Sequence, residues 1–309
     1  MFEIHLFGAV RVQAGGRCLS GRDFGGVKPR QILALLALRG NLGKSELADL
    51  LWQGSPPANH VATLESYVSV LRRRLEPSGS ARHSVIITRT GGYALDADRV
   101  RTDVRRFDQL LAAAAGRSAV RALPPLRAAV RIGREPLLTE EPYADWAVEA
   151  RERYRNRLVE AKLACARHAL DLGDAGEARD LVNRALRLDP LAERGWYLRM
   201  AAHRAAGDRA AALRAYEECR RILDEHLGVE PSEELRQLFL DLLREDGPAG
   251  GVEAAVAAIR AAAHELALVG DLRAVGEGAG STAWRVVQLL TRATELADSP
   301  GRPVLSAAN

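Results

Sequence analysis

The stretch NHVATLESYVSVLRRRLEP, residues 59–77, reads as one helix bounded by Asn59, a suitable N-cap, and by Glu76-Pro77. At 3.6 residues per turn, Val61, Leu64, Val68, Leu71 and Leu75 fall on one stripe and are expected to pack against neighbouring helices. The opposite face collects Asn59, Ala62, Thr63, Ser66, Val70 and Arg73, flanked by Tyr67, Ser69 and Arg74. Small and hydroxylated side chains permit close approach to base edges, and three arginines near the helix end suit phosphates, so the face fits a DNA major groove. A solvated amphipathic helix has a similar composition, and the surrounding order of elements decides between the two.

Upstream, apolar Ile32, Leu33, Leu35, Leu36 and Leu38 follow Lys28-Pro29-Arg30 and stop at Gly40, which predicts one helix. A second begins near Gly43-Lys44-Ser45, carries Leu47, Leu50, Leu51 and Trp52, and ends before Pro56-Pro57. Before both, Phe2, Ile4, Leu6, Val10 and Val12 alternate and Gly15-Gly16 supplies a turn, predicting a short antiparallel sheet. Downstream, residues 84–88 and Tyr93-Ala94-Leu95 flank Gly91-Gly92 as a hairpin holding Arg89. Three helices, the third basic, followed by a strand-turn-strand is the order of a winged helix, whose wing lies along the minor groove or the backbone.

From about Asp103 the pattern is helical almost without break. The segments LGDAGEA at 172–178 and AGDRAAA at 206–212 lie 34 residues apart, the period of a tetratricopeptide-type helix hairpin. Ala178, Ala185 and Pro190 then correspond to Ala212, Cys219 and Asp224. A Gly-Pro-Ala-Gly-Gly linker at 247–251 precedes a helical annex at 252–298 whose role the sequence does not disclose. The expected fold is mainly α with a small β component: an N-terminal winged helix-turn-helix at 1–100, followed by a tetratricopeptide-like all-α helical-repeat domain at 103–245.

Composition narrows the function. The 309 residues are 47% hydrophobic and 27% charged, and no stretch approaches the ~20 apolar residues that span a bilayer. The first residues lack the basic start of a signal peptide, so the expected location is the cytoplasm, with no membrane partner. Residues 1–100 hold 13 Lys and Arg against 8 Asp and Glu, whereas the remainder is close to neutral, which points to an anionic partner for the first third. Cys18, Cys165 and Cys219 are widely separated, and the seven histidines show no ligand spacing. Neither a metal nor another cofactor is expected. Gly43-Lys44-Ser45 mimics the end of a phosphate loop, but Leu38 stands where the earlier glycine is required. No nucleophile and base constellation is visible, and an enzyme is not expected.

The N-terminal part resembles the OmpR/PhoB-type winged-helix output domain in the form used by the Streptomyces antibiotic regulatory proteins. The matching pieces are residues 28–36, Leu51-Trp52, Thr63-Leu64 through Leu71-Arg72-Arg73, and Gly92-Tyr93-Ala94-Leu95. The following residues resemble the bacterial transcriptional activation domain of those regulators, through residues 189–194, 206–213 and 227–232. Together the likeness covers about residues 1–245. It implies backbone contacts from Trp52, Thr63, Tyr67 and Arg72, with Arg72 neutralising a phosphate and Arg73 standing in the same basic cluster. It implies base reading by Glu65, Ser66, Ser69 and Val70, and a wing arginine in Arg89. Val70 departs from the family, since that site is often basic in relatives.

The resemblance also implies a pathway-specific activator of secondary-metabolite (antibiotic) genes. Its partners would be double-stranded promoter DNA and RNA polymerase holoenzyme with its sigma factor. Two protomers would associate in tandem on direct repeats near the −35 region. No receiver domain precedes residue 2, so direct phosphorelay control is not expected. A fragment ending at residue 100 is expected to keep weak specific binding. The alternative is a helical-repeat interaction scaffold whose winged domain contacts protein instead of DNA.

Overall fold

The computed structural model describes residues 1–77 and 84–245. Strands β1 (Phe2–His5), β2 (Arg11–Ala14) and β3 (Arg17–Ser20) form an antiparallel meander in which Ile4, Val12 and Leu19 stand in one buried row. That row follows from the period of two read in the sequence. After a 3₁₀ turn at Gly21–Phe24, α1 (Val27–Arg39) is buried on most of its circumference, Ile32 through Ala37 included, and is the central helix.

The short strand β4 (Leu42–Gly43) leads into α2 (Lys44–Trp52), and α3 (His60–Leu75) follows. Leu64, Val68, Leu71 and Leu75 are buried as expected. Val61 is not: it is 42% exposed, because it sits at the edge of the apolar arc in the terminal turn and overhangs the core. Asn59 occupies the N-cap position without a side-chain capping bond. The wing consists of β5 (Ile86–Arg89) and β6 (Gly92–Leu95), with β4 on the far side of β6. Arg89 pairs with Gly92, so Thr90-Gly91 makes the turn, with Gly91 at φ +74°, and Gly92 lies inside the strand. A Cβ on Gly92 would stand 2.2 Å from the Leu42 carbonyl oxygen, so only glycine lets β4 and β6 approach this closely.

Strand β7 (Val100–Thr102), absent from the sequence reading, pairs in parallel with β1. Helices α4 (Asp103–Ala114), α5 (Ala119–Ile132), α6 (Asp145–Asp171), α7 (Ala175–Leu186), α8 (Glu193–Ala205) and α9 (Arg209–Leu227) form a run in which each packs on the one before it, and α10 (Glu233–Arg244) ends the described chain. The 34-residue period is visible in the caps. The Asp174 carboxylate accepts from the Glu177 amide at 2.9 Å and Asp208 from the Ala211 amide at 3.0 Å, each after a glycine of positive φ. Ala178 and Ala212 are fully buried, as are Ala185 and Cys219. The correspondence ends at Pro190 and Asp224: α7 stops at Leu186, whereas α9 runs on to Leu227.

The core does not break near residue 100. One buried cluster runs from Ile4 to Ala161, and Met1–Leu235 form a single compact unit; residues from Arg236 belong to a second unit. A backbone seam joins the winged part to the helices. Phe7 bridges Leu137, Leu138 N donates to Leu6 O at 2.8 Å, Gly8 N to Pro136 O at 2.8 Å, and Thr139 N to Gly8 O at 3.0 Å. Asp103 accepts from the Leu6 and Phe7 amides, and the rings of Phe7, Phe107 and Tyr154 meet in tilted and edge-to-face contacts. Glu141 adds a buried acceptor, taking the Arg30 guanidinium at 2.7 Å and the Gln31 amide at 2.7 Å. The linker at 247–251 and the annex at 252–298 lie outside the described residues. Among those described, no helix is long and apolar enough to cross a membrane.

Candidate nucleic-acid interface

With Leu64, Val68, Leu71 and Leu75 turned inward, the stripe opposite them on α3 is Ala62, Ser66, Ser69 and Arg73, all exposed. Their i, i+4, i+7 and i+11 spacing makes a continuous outward ridge of small side chains ending in a guanidinium. The ridge can enter a groove closely and set a cation against a phosphate.

The other expected residues occupy its flanks, and several have partners inside the protein. Glu65 is exposed and paired with Lys44, whose ammonium stands 2.6 Å from the carboxylate and 5.9 Å from the Tyr93 ring centroid. The hydrogen bond that Lys44 donates to Glu65 holds the lysine above its ordinary pKa. Val70 is half-buried and lies against Gly25, where an added Cβ would come within 2.4 Å of its methyl group. Its side chain therefore packs partly on the loop before α1 and offers the groove one edge. Thr63 donates its hydroxyl to the Asn59 carbonyl at 3.1 Å, an intrahelical bond in the first turn. Tyr67 is half-buried against the core.

Arg72 has partners within the protein. Its Nε and Nη2 donate to the Ile86 carbonyl at 3.0 and 2.7 Å, and Nη2 also donates to the Thr88 hydroxyl at 2.9 Å. It lies 6.0 Å from the Tyr93 ring centroid. The residue thus fastens the wing strand β5 to the outer flank of α3. Arg89, three residues beyond Ile86, is exposed at the end of that strand next to the turn. Trp52, at the end of α2, is half-buried, with the Lys28 ammonium 5.9 Å from its ring centroid. It lines a cleft with Glu140, Tyr143 and Trp146, on the side of the helical part.

Sequence reasoning missed Lys44 and Tyr93. Lys44 drew notice as a phosphate-loop mimic, but its amide donates to Gly91 O at 2.8 Å and its side chain meets Glu65, so it links the wing turn to α3. Burial raises the Tyr93 phenol pKa, with Lys44 and Arg72 opposing, and its ring serves as a platform for both cations. The signal was the alternation in Gly92-Tyr93-Ala94-Leu95, which marks a half-buried strand without saying what lies across it.

Residues 95–243 match the bacterial transcriptional activator domain. The chain is 34% identical over 245 residues to the regulatory protein DnrI of Streptomyces peucetius, an alignment covering 71% of this chain and 85% of DnrI. It is 32% identical to the regulatory protein AfsR of Streptomyces griseus over 78% of this chain, which amounts to 24% of AfsR. Among solved structures it is similar to Mycobacterium tuberculosis EmbR in complex with a low affinity phosphopeptide, with a TM-score of 0.70 and 27% identity over 83% of this chain and 69% of that one. A winged helix joined to this activator domain, at that identity to DnrI over most of both proteins, places the chain in the Streptomyces antibiotic regulatory protein family, as a DNA-binding regulator of transcription of the activator type.

Proposed function

We propose that the chain is a sequence-specific activator of secondary-metabolite genes in the cytoplasm. It binds tandem direct repeats near the −35 region and recruits RNA polymerase holoenzyme through its helical part. The observation that carries this reading is the exposed ridge Ala62-Ser66-Ser69-Arg73 beside a wing that presents Arg89. The ridge and its flanks supply few bidentate base contacts, because the ridge side chains before Arg73 are small, Val70 beside it is apolar and half-buried, and Glu65 is already paired. One protomer on one repeat therefore binds weakly, and affinity comes from two protomers acting together. The near-neutral helical part is a poor DNA anchor, and stacked helix hairpins offer the kind of surface used for protein partners.

Phasing tests the arrangement. Two identical ridges face the same side of the duplex only when their repeats lie about 10 to 11 base pairs, or a multiple, apart. Gel-shift titration of the full chain on paired direct repeats should show cooperative binding. An insertion of about five base pairs should remove the cooperativity, and a full turn should restore part of it. Equal binding to all three spacings would overturn the head-to-tail arrangement. No binding to any DNA at low salt would favour the scaffold reading instead.

A further inference from the structure

A cavity of about 470 Å³ opens beside the seam. Phe7 and Leu137, the bridged pair that joins the winged part to the helices, line it together with Val148, Leu158 and Leu188. The volume lies in the range of small-molecule sites, and the lining is mainly apolar. Charged residues stand there as well, Glu135, Glu152 and three arginines, and of these and Lys162 only the lysine is buried. Lys162, from α6, lines the same cavity and is only 7% exposed.

Lys162 has no carboxylate in ion-pair contact among the described residues, and the charged groups acting on it are the guanidiniums of Arg184 and Arg187 on the α7 side. Burial of most of the side chain disfavours its charged form when no carboxylate pairs it, and two like charges nearby disfavour it further. Burial and the two arginines lower its pKa to about 8, so near neutrality the proton is retained against its surroundings. Packing alone would be served better by leucine or methionine at this position. An anion in the cavity removes the conflict, since it pairs the lysine.

We propose that this cavity binds an apolar molecule carrying a single acidic group, a carboxylate in the simplest case, with the anion on Lys162 and the body against Phe7, Leu137, Val148 and Leu158. The site is separate from the DNA-facing ridge and does not depend on how that ridge reads DNA. Because its wall is the seam, an occupant also holds together the segments around Phe7 and Leu137 that join the two parts of the fold.

The test is isothermal titration calorimetry of the full chain with dodecanoate and with 2-naphthoate, each against its neutral alcohol. The two acids separate an aliphatic from an aromatic occupant. At least one acid should bind about tenfold or more tightly than its alcohol, the preference that a charge-assisted hydrogen bond confers. In Lys162→Met that preference should vanish. Hydrogen exchange on the wild-type chain supplies a second reading that needs no variant. The better acid should slow exchange at the amides of Gly8, Leu138 and Thr139, which bond across the seam. No binding of either acid at millimolar concentration, equal binding of acid and alcohol, a preference that survives Lys162→Met, or protection elsewhere but not at the seam would each overturn the proposal.

Discussion

Replacing Arg72 with alanine separates two roles that the sequence cannot distinguish. In the structure the guanidinium makes three hydrogen bonds to the wing strand, two to the Ile86 carbonyl and one to the Thr88 hydroxyl, and lies over Tyr93. A hydrogen bond to a charged group contributes about 1.5 to 3 kcal/mol net, and the two to a single carbonyl are not independent, so the loss should come to about 2 to 4 kcal/mol. In a unit of this size that lowers Tm by roughly 5 to 12 °C. Arg72→Lys keeps the charge but not the fork, and should lose most of the same stability. If Arg72 instead served only as a phosphate contact, Arg72→Ala would leave Tm unchanged and Arg72→Lys would bind nearly as well as wild type. The slope of log K against log salt would then fall by about 0.9 for the alanine variant. Thermal unfolding of both variants, with DNA titrations at several salt concentrations, decides the matter. A wild-type Tm together with a shallower salt slope would refute the wing-anchor assignment.

Three further outcomes are expected. Glu65→Ala removes the partner of Lys44 and frees an ammonium on the flank of α3, so nonspecific DNA affinity should rise and the salt slope steepen by roughly one unit; competition titrations with unrelated DNA check this, and an unchanged slope would show that Lys44 stays on the wing. The Lys162 pKa is lowered in the folded chain to about 8 from 10.5, so the penalty of the buried charge is fully present below pH 8 and is relieved as pH rises towards 10.5, where the unfolded chain still holds the proton. The stability of the wild type relative to Lys162→Met should therefore increase over that window, by up to about 3 kcal/mol, and parallel urea-unfolding curves for the two proteins at pH 7 and pH 10 would contradict it. A fragment ending at residue 100 should fail to fold stably, since it loses Asp103, Phe107 and the 136–139 segment that covers Leu6 and Phe7; circular dichroism with a cooperative thermal transition in that fragment would show that the seam is dispensable.

What was legible in the sequence is what local period determines. Leu64, Val68, Leu71 and Leu75 are inward because their spacing leaves no other helical face apolar, and the caps at Asp174 and Asp208 recur because the 34-residue period repeats the same chemistry. The parallel pairing of β7 with β1 and the bridge from Phe7 to Leu137 were not legible, because a register between segments some hundred residues apart leaves no periodic trace in either. Pro124 and Pro125 lie inside α5, where local rules place a helix stop; packing between α4 and α6 outweighs two missing amide donors. In the site, the sequence located the helix and the wing but not the direction of Arg72. The helical projection puts Arg73 on the outward face, but it cannot say what stands beside Arg72, and only the position of the Ile86 carbonyl shows that this arginine bonds the wing.

The seam has a consequence for how this protein meets a promoter. Residues 1–235 are one compact unit, with Glu141 holding Arg30 and Gln31 of the central helix α1 and Asp103 holding the amides after β1. On the proposed mode of binding, with α3 in a groove, the orientation of α4 through α9 on the duplex is therefore set by the same contacts. A surface on those helices reaches a partner bound beside the repeat only when the repeat is correctly phased with that partner. Moving the paired repeats together by half a turn relative to the −35 region should leave their cooperative binding intact while abolishing activation in a purified transcription assay. Activation that persisted after such a shift would mean that the helical part reaches its partner through a flexible tether, against the continuous core from Ile4 to Ala161.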